Sequence, residues 1–259
     1  MSTTQATSPI RVQELEPGLA RVQLARPKAN VLDAAMTAAL QGFFAGPARA
    51  PALKAVLLEG EGPHFSFGAS VAEHLPESVA GMLRTFHGLF HAMADAAVPV
   101  LAVVRGQCLG GGLELAAFCQ RIFAAPDARL GQPEIKLGVF APVASLLLPE
   151  RMGRGRAEDL LLSGRTLTAE EARAAGLVDE VAEDPAAAAL AYARTHLLPL
   201  SAASLRHAVR AAREAFTARL FRDLAGLEQL YLGSLVATHD ANEGIRSFLE
   251  KRTPQWRNA

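Results

Sequence analysis

Two glutamates in apolar surroundings and a run of three glycines are the residues of this chain best suited to chemistry. Glu114 stands in Leu113-Glu114-Leu115-Ala116-Ala117-Phe118, a segment with almost no polar face. A helix that apolar is normally buried. A buried carboxylate is costly unless it is paired or employed. Desolvation raises its pKa, which suits proton transfer near neutral pH. Just ahead of it, Gly110-Gly111-Gly112 lets the backbone turn tightly and approach a ligand with no side chain between. The first turn of the helix that follows has N–H groups without internal partners and the positive end of the helix dipole. Such donors can hold an oxyanion as it forms. A phosphate-binding loop would need a Lys-Ser/Thr ending or GxGxxG spacing, and this segment has neither. A plain packing turn is the remaining alternative.

Glu134 follows twenty residues later, in Leu130-Gly131-Gln132-Pro133-Glu134-Ile135-Lys136-Leu137-Gly138. Pro133 breaks helix and sheet, so Glu134 is expected on a loop or short turn. Alone, such a glutamate reads as a solvated loop charge, with Lys136 available as a surface partner. A third segment, Phe65-Ser66-Phe67-Gly68-Ala69-Ser70-Val71, again has small residues that let a ligand reach the backbone. His74, His87 and His91 fall near the same region and read as packed or rim residues without a catalytic role.

These residues must be positioned by an α/β framework. Pro17-Gly18 separates two strand-like runs, and Asp33 can cap a helix with Met36, Leu40, Phe43 and Phe44 at helical spacing. Ala55 to Leu58 reads as a buried strand. Val79 to Met93 reads as an amphipathic helix, Val98 to Val104 as a strand, Gly110 to Phe118 as a helix and Arg121 to Ala125 as a strand. From about Ala157 the pattern is helical apart from residues 177–181. Thr168 and Glu171 form a capping box, and Asp240, Asn242 and Glu243 mark a helix start near Ala241. The expected organisation is a core over residues 1–195 and a helical C-terminal region over 196–259, with residues 1–9 disordered.

Composition narrows the partners. The 259 residues are half hydrophobic and carry 26 basic and 26 acidic side chains, so charge argues for neither a nucleic-acid nor a membrane-surface partner. No run of about 18 apolar residues spans a membrane, and Met1-Ser2-Thr3-Thr4 lacks an apolar signal core. Cys108 and Cys119 form no CxxC motif, and no histidine cluster completes a zinc site around them. They read as reduced, buried thiols, which fits a cytoplasmic protein.

The pattern GxxxGGGxE followed by GQPEI, with the Phe-Gly-Ala-Ser segment, resembles the enoyl-CoA hydratase/isomerase (crotonase) superfamily over nearly the full chain. Arg26-Pro27-Lys28-Ala29-Asn30 is similar to that family's early loop, and Phe248-Leu249-Glu250-Lys251-Arg252 to its C-terminal signature. The resemblance implies a ClpP-like spiral of ββα units with a helical region that builds homotrimers, often paired into hexamers. It implies an acyl-CoA substrate and no separate cofactor, since CoA arrives as part of the substrate. The backbone N–H groups of Ala69 and Gly111 would hold the thioester oxygen, and Glu114 and Glu134 would act on water and substrate carbon. Lys28, Ala29, Gly68, Ser70, Val71, Gly110 and Pro133 fall at substrate- or CoA-contacting positions. Phe248 and Lys251 match residues that in relatives reach the CoA of a neighbouring subunit.

The chain also departs from the ordinary hydratase pattern. Ala141-Pro142-Val143-Ala144-Ser145 replaces a glycine-rich loop after Gly138, placing Pro142 where a glycine lines the water site, and Ser70 stands where Asp is common. These departures, with residues 68–76 and 82–90, resemble cyclohexa-1,5-diene-1-carbonyl-CoA hydratases of benzoyl-CoA degradation. Three alternatives stay open: a short-chain 2-enoyl-CoA hydratase, an enoyl-CoA isomerase, and a non-catalytic acyl-CoA-binding protein.

Overall fold

The computed structural model describes residues 8–259. The disorder expected over residues 1–9 therefore falls, for all but Ser8 and Pro9, outside the described residues. In chain order the elements begin with strands β1 (Ile10–Glu16) and β2 (Leu19–Leu24), then helix α1 (Ala34–Ala45), β3 (Ala55–Gly60) and α2 (Val79–Ala96). Next come β4 (Val100–Val104), β5 (Gln107–Leu109), α3 (Gly111–Phe118), β6 (Arg121–Ala124) and β7 (Arg129–Gly131). The later part holds α4 (Pro142–Met152), α5 (Arg154–Ser163), β8 (Thr166–Thr168), α6 (Ala169–Ala174), β9 (Glu180–Val181), α7 (Pro185–His196), α8 (Ala202–Leu230) and α9 (His239–Leu249).

One move is repeated. The chain lays a strand in a large sheet, adds a short strand or bridge to a second layer, and returns through a helix. The large sheet runs β1-β2-β3-β4-β6-β9, antiparallel only between β1 and β2. The second layer is β5-β7-β8, extended by the bridges Ser66–Cys108 and Leu32–Ala69. This places the third-segment residues 66–69 beside β5, immediately before the triple glycine.

Burial explains the apolar strands. Val56 and Leu58 of β3 pack on the face covered by α1 and α2, with Met36, Leu40, Phe44 and Phe90. Ala55 and Leu57 point to the other face, where α7 contributes Ala189 and Ala193. With both faces covered, the strands are continuous apolar runs rather than alternating ones. Each fully buried Leu or Phe here contributes about 1.5–3 kcal/mol relative to exposure.

The expected caps of α1 and α6 are present. Asp33 accepts from Met36 N–H at 2.8 Å, and Thr168 and Glu171 form a reciprocal box. The last helix starts near Ala241 as expected, with Asp240 in its first turn, but its cap is Thr238, whose hydroxyl accepts from Ala241 N–H. Asp240 and Glu243 instead hold the C-terminal tail, through the N–H groups of Arg257, Asn258 and Gln255 and the Arg252 guanidinium. The stretch read as a reshaped loop at 139–145 also differs, because Pro142 opens α4. Proline suits that first helical position, where its missing N–H would have had no helical partner. The helix-dominated part thus starts at Pro142 rather than near Ala157. Strands β5, β7 and β8, three residues each, are too short to leave a periodic signal.

Candidate active site

The site is assembled where β5 runs into α3. Gly110 takes φ 52°, a left-handed conformation, and turns the chain into the helix. A Cβ at Gly110 would lie 2.5 Å from Glu134 Oε1, so the carboxylate rests against bare backbone. A Cβ at Gly111 would lie 3.0 Å from the Phe86 ring and 3.2 Å from Ala69 N. The 66–69 segment and the start of α3 therefore approach each other closely at Ala69 and Gly111. Neither N–H is a donor in the backbone hydrogen bonds between the described residues, and Gly111 is the first residue of α3. Two unpaired donors close together can hold one carbonyl oxygen as negative charge grows on it.

Glu114 is buried on the inward side of α3. Its carboxylate accepts from Ala144 N–H at 2.7 Å, and the Val143 N–H also acts on it. These are the first free N–H groups of α4, whose own N-cap, Ala141, has no side chain able to accept them. Glu114 thus caps a helix from across the site. Burial outweighs these bonds and raises its pKa to about 7.

Glu134 lies on a short 3₁₀ turn, Pro133–Leu137, as the proline implied. It is no solvated charge: the residue is half-buried, its Oε2 is buried without a hydrogen-bond partner, and Lys136 makes no ion pair with it. Burial first, and the charge of Glu114 second, raise its pKa to about 8. Both carboxyls are thus brought to where protons are exchanged near neutrality.

Both glutamates line a cavity of about 720 Å³. Gly68, Ala69, Ser70, Val71, Gly110, Gly111, Pro133, Pro142 and Phe248 line it too. Lys28, Ala29 and Lys251 do not. Lys28 and Lys251 are exposed, and the Ala29 carbonyl accepts from Phe67 N–H at 2.9 Å, tying the early loop to the 66–69 segment. Phe248, half-exposed, faces the cavity of its own chain.

Residues 14–259 match the family described as enoyl-CoA hydratase/isomerase. The chain belongs to that family. A cyclohexa-1,5-dienecarbonyl-CoA hydratase of Thauera aromatica is 56% identical over 98% of this chain and 99% of its own. A 2,3-dehydroadipyl-CoA hydratase of Escherichia coli is 33% identical over 90% of this chain and 93% of its own. The crystal structure of an enoyl-CoA hydratase from Mycobacterium avium subsp. paratuberculosis superposes with a TM-score of 0.84 at 28% identity, covering 97% and 99% of the two chains. The expected crotonase fold is the fold of this enoyl-CoA hydratase/isomerase family member.

Sequence reasoning missed part of the wall. Phe86, Phe140 and Tyr231 line the cavity, and Tyr231 comes from a π-helical turn, Tyr231–Leu235, beyond α8. Nothing in the run Leu230-Tyr231-Leu232 separates it from an ordinary packed tyrosine. His87, read as a packed residue, is buried, and its Nδ1 pairs with Glu228 of α8. Its Nε2 has no partner, and burial works against the charged form of the ring, lowering its pKa from the ordinary value. Cys108 and Cys119 are free and buried, as expected. Among the described residues no helix is long and apolar enough to cross a membrane.

Proposed function

We propose that this enzyme adds water to cyclohexa-1,5-diene-1-carbonyl-CoA, giving 6-hydroxycyclohex-1-ene-1-carbonyl-CoA in benzoyl-CoA degradation. The observation that carries the reaction is the coupled pair Glu114 and Glu134 in one apolar cavity with the Ala69 and Gly111 N–H groups. The similarity to the Thauera hydratase over nearly both whole chains supports the substrate. So do the walls, since Met82, Leu83, Phe86, Val139 and Phe140 offer apolar faces to a ring.

In this reading the thioester oxygen accepts hydrogen bonds from Ala69 and Gly111. The ionised Glu114 takes a proton from water as its oxygen attacks ring carbon 2. The electron pair of the first double bond moves into the carbonyl, and the charge spreads through the second double bond to carbon 5. Protonated Glu134 delivers its proton there, leaving a double bond between carbons 1 and 6. Numbering the ring from the other side gives the 6-hydroxy-1-ene product. One proton enters the pair and one leaves it, so the pair is restored when the proton passes between them.

Lys28, Ala29, Phe248 and Lys251 are assigned to the CoA moiety, and the helical region 196–259 to homotrimer formation. Support for the trimer is the outward placement of Leu230, Leu232, Leu249 and Trp256 on that region. The decisive assay offers the purified protein the cyclic dienoyl-CoA and crotonyl-CoA side by side, with products identified by mass and NMR. A hydroxylated cyclic product and at least about tenfold higher kcat/KM for the ring than for crotonyl-CoA are expected. Preference for crotonyl-CoA would move the assignment to a short-chain 2-enoyl-CoA hydratase.

A further inference from the structure

Among the described residues, three buried side-chain atoms without hydrogen-bond partners belong to residues lining the cavity: Glu134 Oε2, His87 Nε2 and Tyr231 Oη. Leaving a buried polar atom unpaired is costly, and these come from three separate elements. Tyr231 is 1% exposed, and its ring meets Phe140 edge-on with centroids 5.2 Å apart. A phenylalanine would fill that space equally well. Burial and then the nearby charges of Glu134 and Glu114 hold the phenol in its neutral form, as a donor. It sits at the start of a π-helical turn, a distortion that frequently accompanies functional sites.

The chemistry of water leaves one place for that donor. A water held between Glu114 and Glu134 donates a hydrogen to each carboxyl. One lone pair faces the acceptor carbon, and the other requires a donor. The Ala144 N–H is occupied by Glu114, and the Val143 N–H acts on the same carboxylate. His87 turns Nδ1 to the Glu228 carboxylate, so that nitrogen holds the ring hydrogen and Nε2 faces the cavity as an acceptor. Glu134 carries a proton too but delivers it to substrate carbon, so of the three orphans only the phenol brings a hydrogen free to stay with the water.

We propose that Tyr231 is a further catalytic residue, whose O–H donates to the oxygen of the attacking water and then to the new hydroxyl of the product. The inference rests on the hydration reading and not on the identity of the acyl group. Its test is Tyr231→Phe, assayed on whichever enoyl-CoA thioester the parent enzyme hydrates, with thermal unfolding measured in parallel. Expected is a fall in kcat on the order of tenfold to a hundredfold, KM changed by less than about threefold, and a melting temperature equal to or above the parent's. Slower catalysis with undiminished stability is what a purely structural tyrosine cannot give. Retention of kcat within about twofold, or a loss of activity accompanied by a lowered melting temperature, overturns the proposal. A parent enzyme that hydrates crotonyl-CoA but not the ring sinks only the substrate assignment.

Discussion

The Glu114 carboxylate accepts a hydrogen bond from Ala144 N–H at 2.7 Å. That contact joins the helix behind the triple glycine to the helix opened by Pro142. It fixes the orientation of the carboxylate and gives α4 the cap its own residues lack. In the proposed mechanism a carboxylate held this way reaches its proton without first losing side-chain freedom.

Glu114→Gln should keep the acceptor toward Ala144 while removing the base. Hydration is expected to fall on the order of 10²–10⁴-fold, with an unchanged far-ultraviolet circular dichroism spectrum. Glu134→Gln should behave alike. A purified variant of either kind that still hydrates at near-parental rate would remove the carboxylate pair from the mechanism.

Gly110→Ala tests the close approach. The added Cβ would lie 2.5 Å from Glu134 Oε1, at a backbone φ of 52°. Strain of about 1–3 kcal/mol in stability is expected, together with a loss of kcat well beyond it because Glu134 is displaced. Urea unfolding and steady-state kinetics on the same preparation separate the two effects.

Acid should favour the folded state as far as these two groups are concerned. Their carboxyls are raised from an ordinary value of 4.5 to about 7 and about 8. Between those limits the folded chain keeps protons that the unfolded chain has released, so stability declines as pH rises. Their favourable contribution is complete below about pH 4.5 and is lost through pH 7 to 8. The double variant Glu114→Gln, Glu134→Gln should therefore gain stability over the parent at pH 8.5 and little at pH 4.5, on denaturant titration at each pH. An equal difference at both would refute the burial argument.

Cys108 and Cys119 should resist a thiol reagent in the native protein. Both are fully buried, and burial pushes the Cys119 thiol up to about 12. Neither thiolate is then available for attack. Titration with an aromatic disulfide is expected to find no reactive thiol until denaturant is added, and two afterwards.

Much of this was legible in the chain itself. Asp33 and Thr168 announce their helices because a cap is a local hydrogen bond within three residues. Glu114 stands out because a charge inside an unbroken apolar helix has few explanations. Pro133 places Glu134 on a turn because proline forbids the alternatives. The C-terminal acids marked the start of α9 but not their own partners, for the converse reason. Asp240 looks like a cap, yet its carboxylate serves Arg257 and Asn258 from the far end of the helix.

What the sequence determined by itself was the set of groups and their local conformations, because propensity, capping and burial of an apolar face act over a few residues. The tertiary structure alone decided how they converge. Glu134 rests on Gly110, Glu114 caps a helix thirty residues away, and Tyr231 arrives from beyond α8 to bring an unpaired hydroxyl to the same cavity. Such contacts depend on how helices and two layers of strands pack. No spacing along the chain encodes a distance that only packing closes.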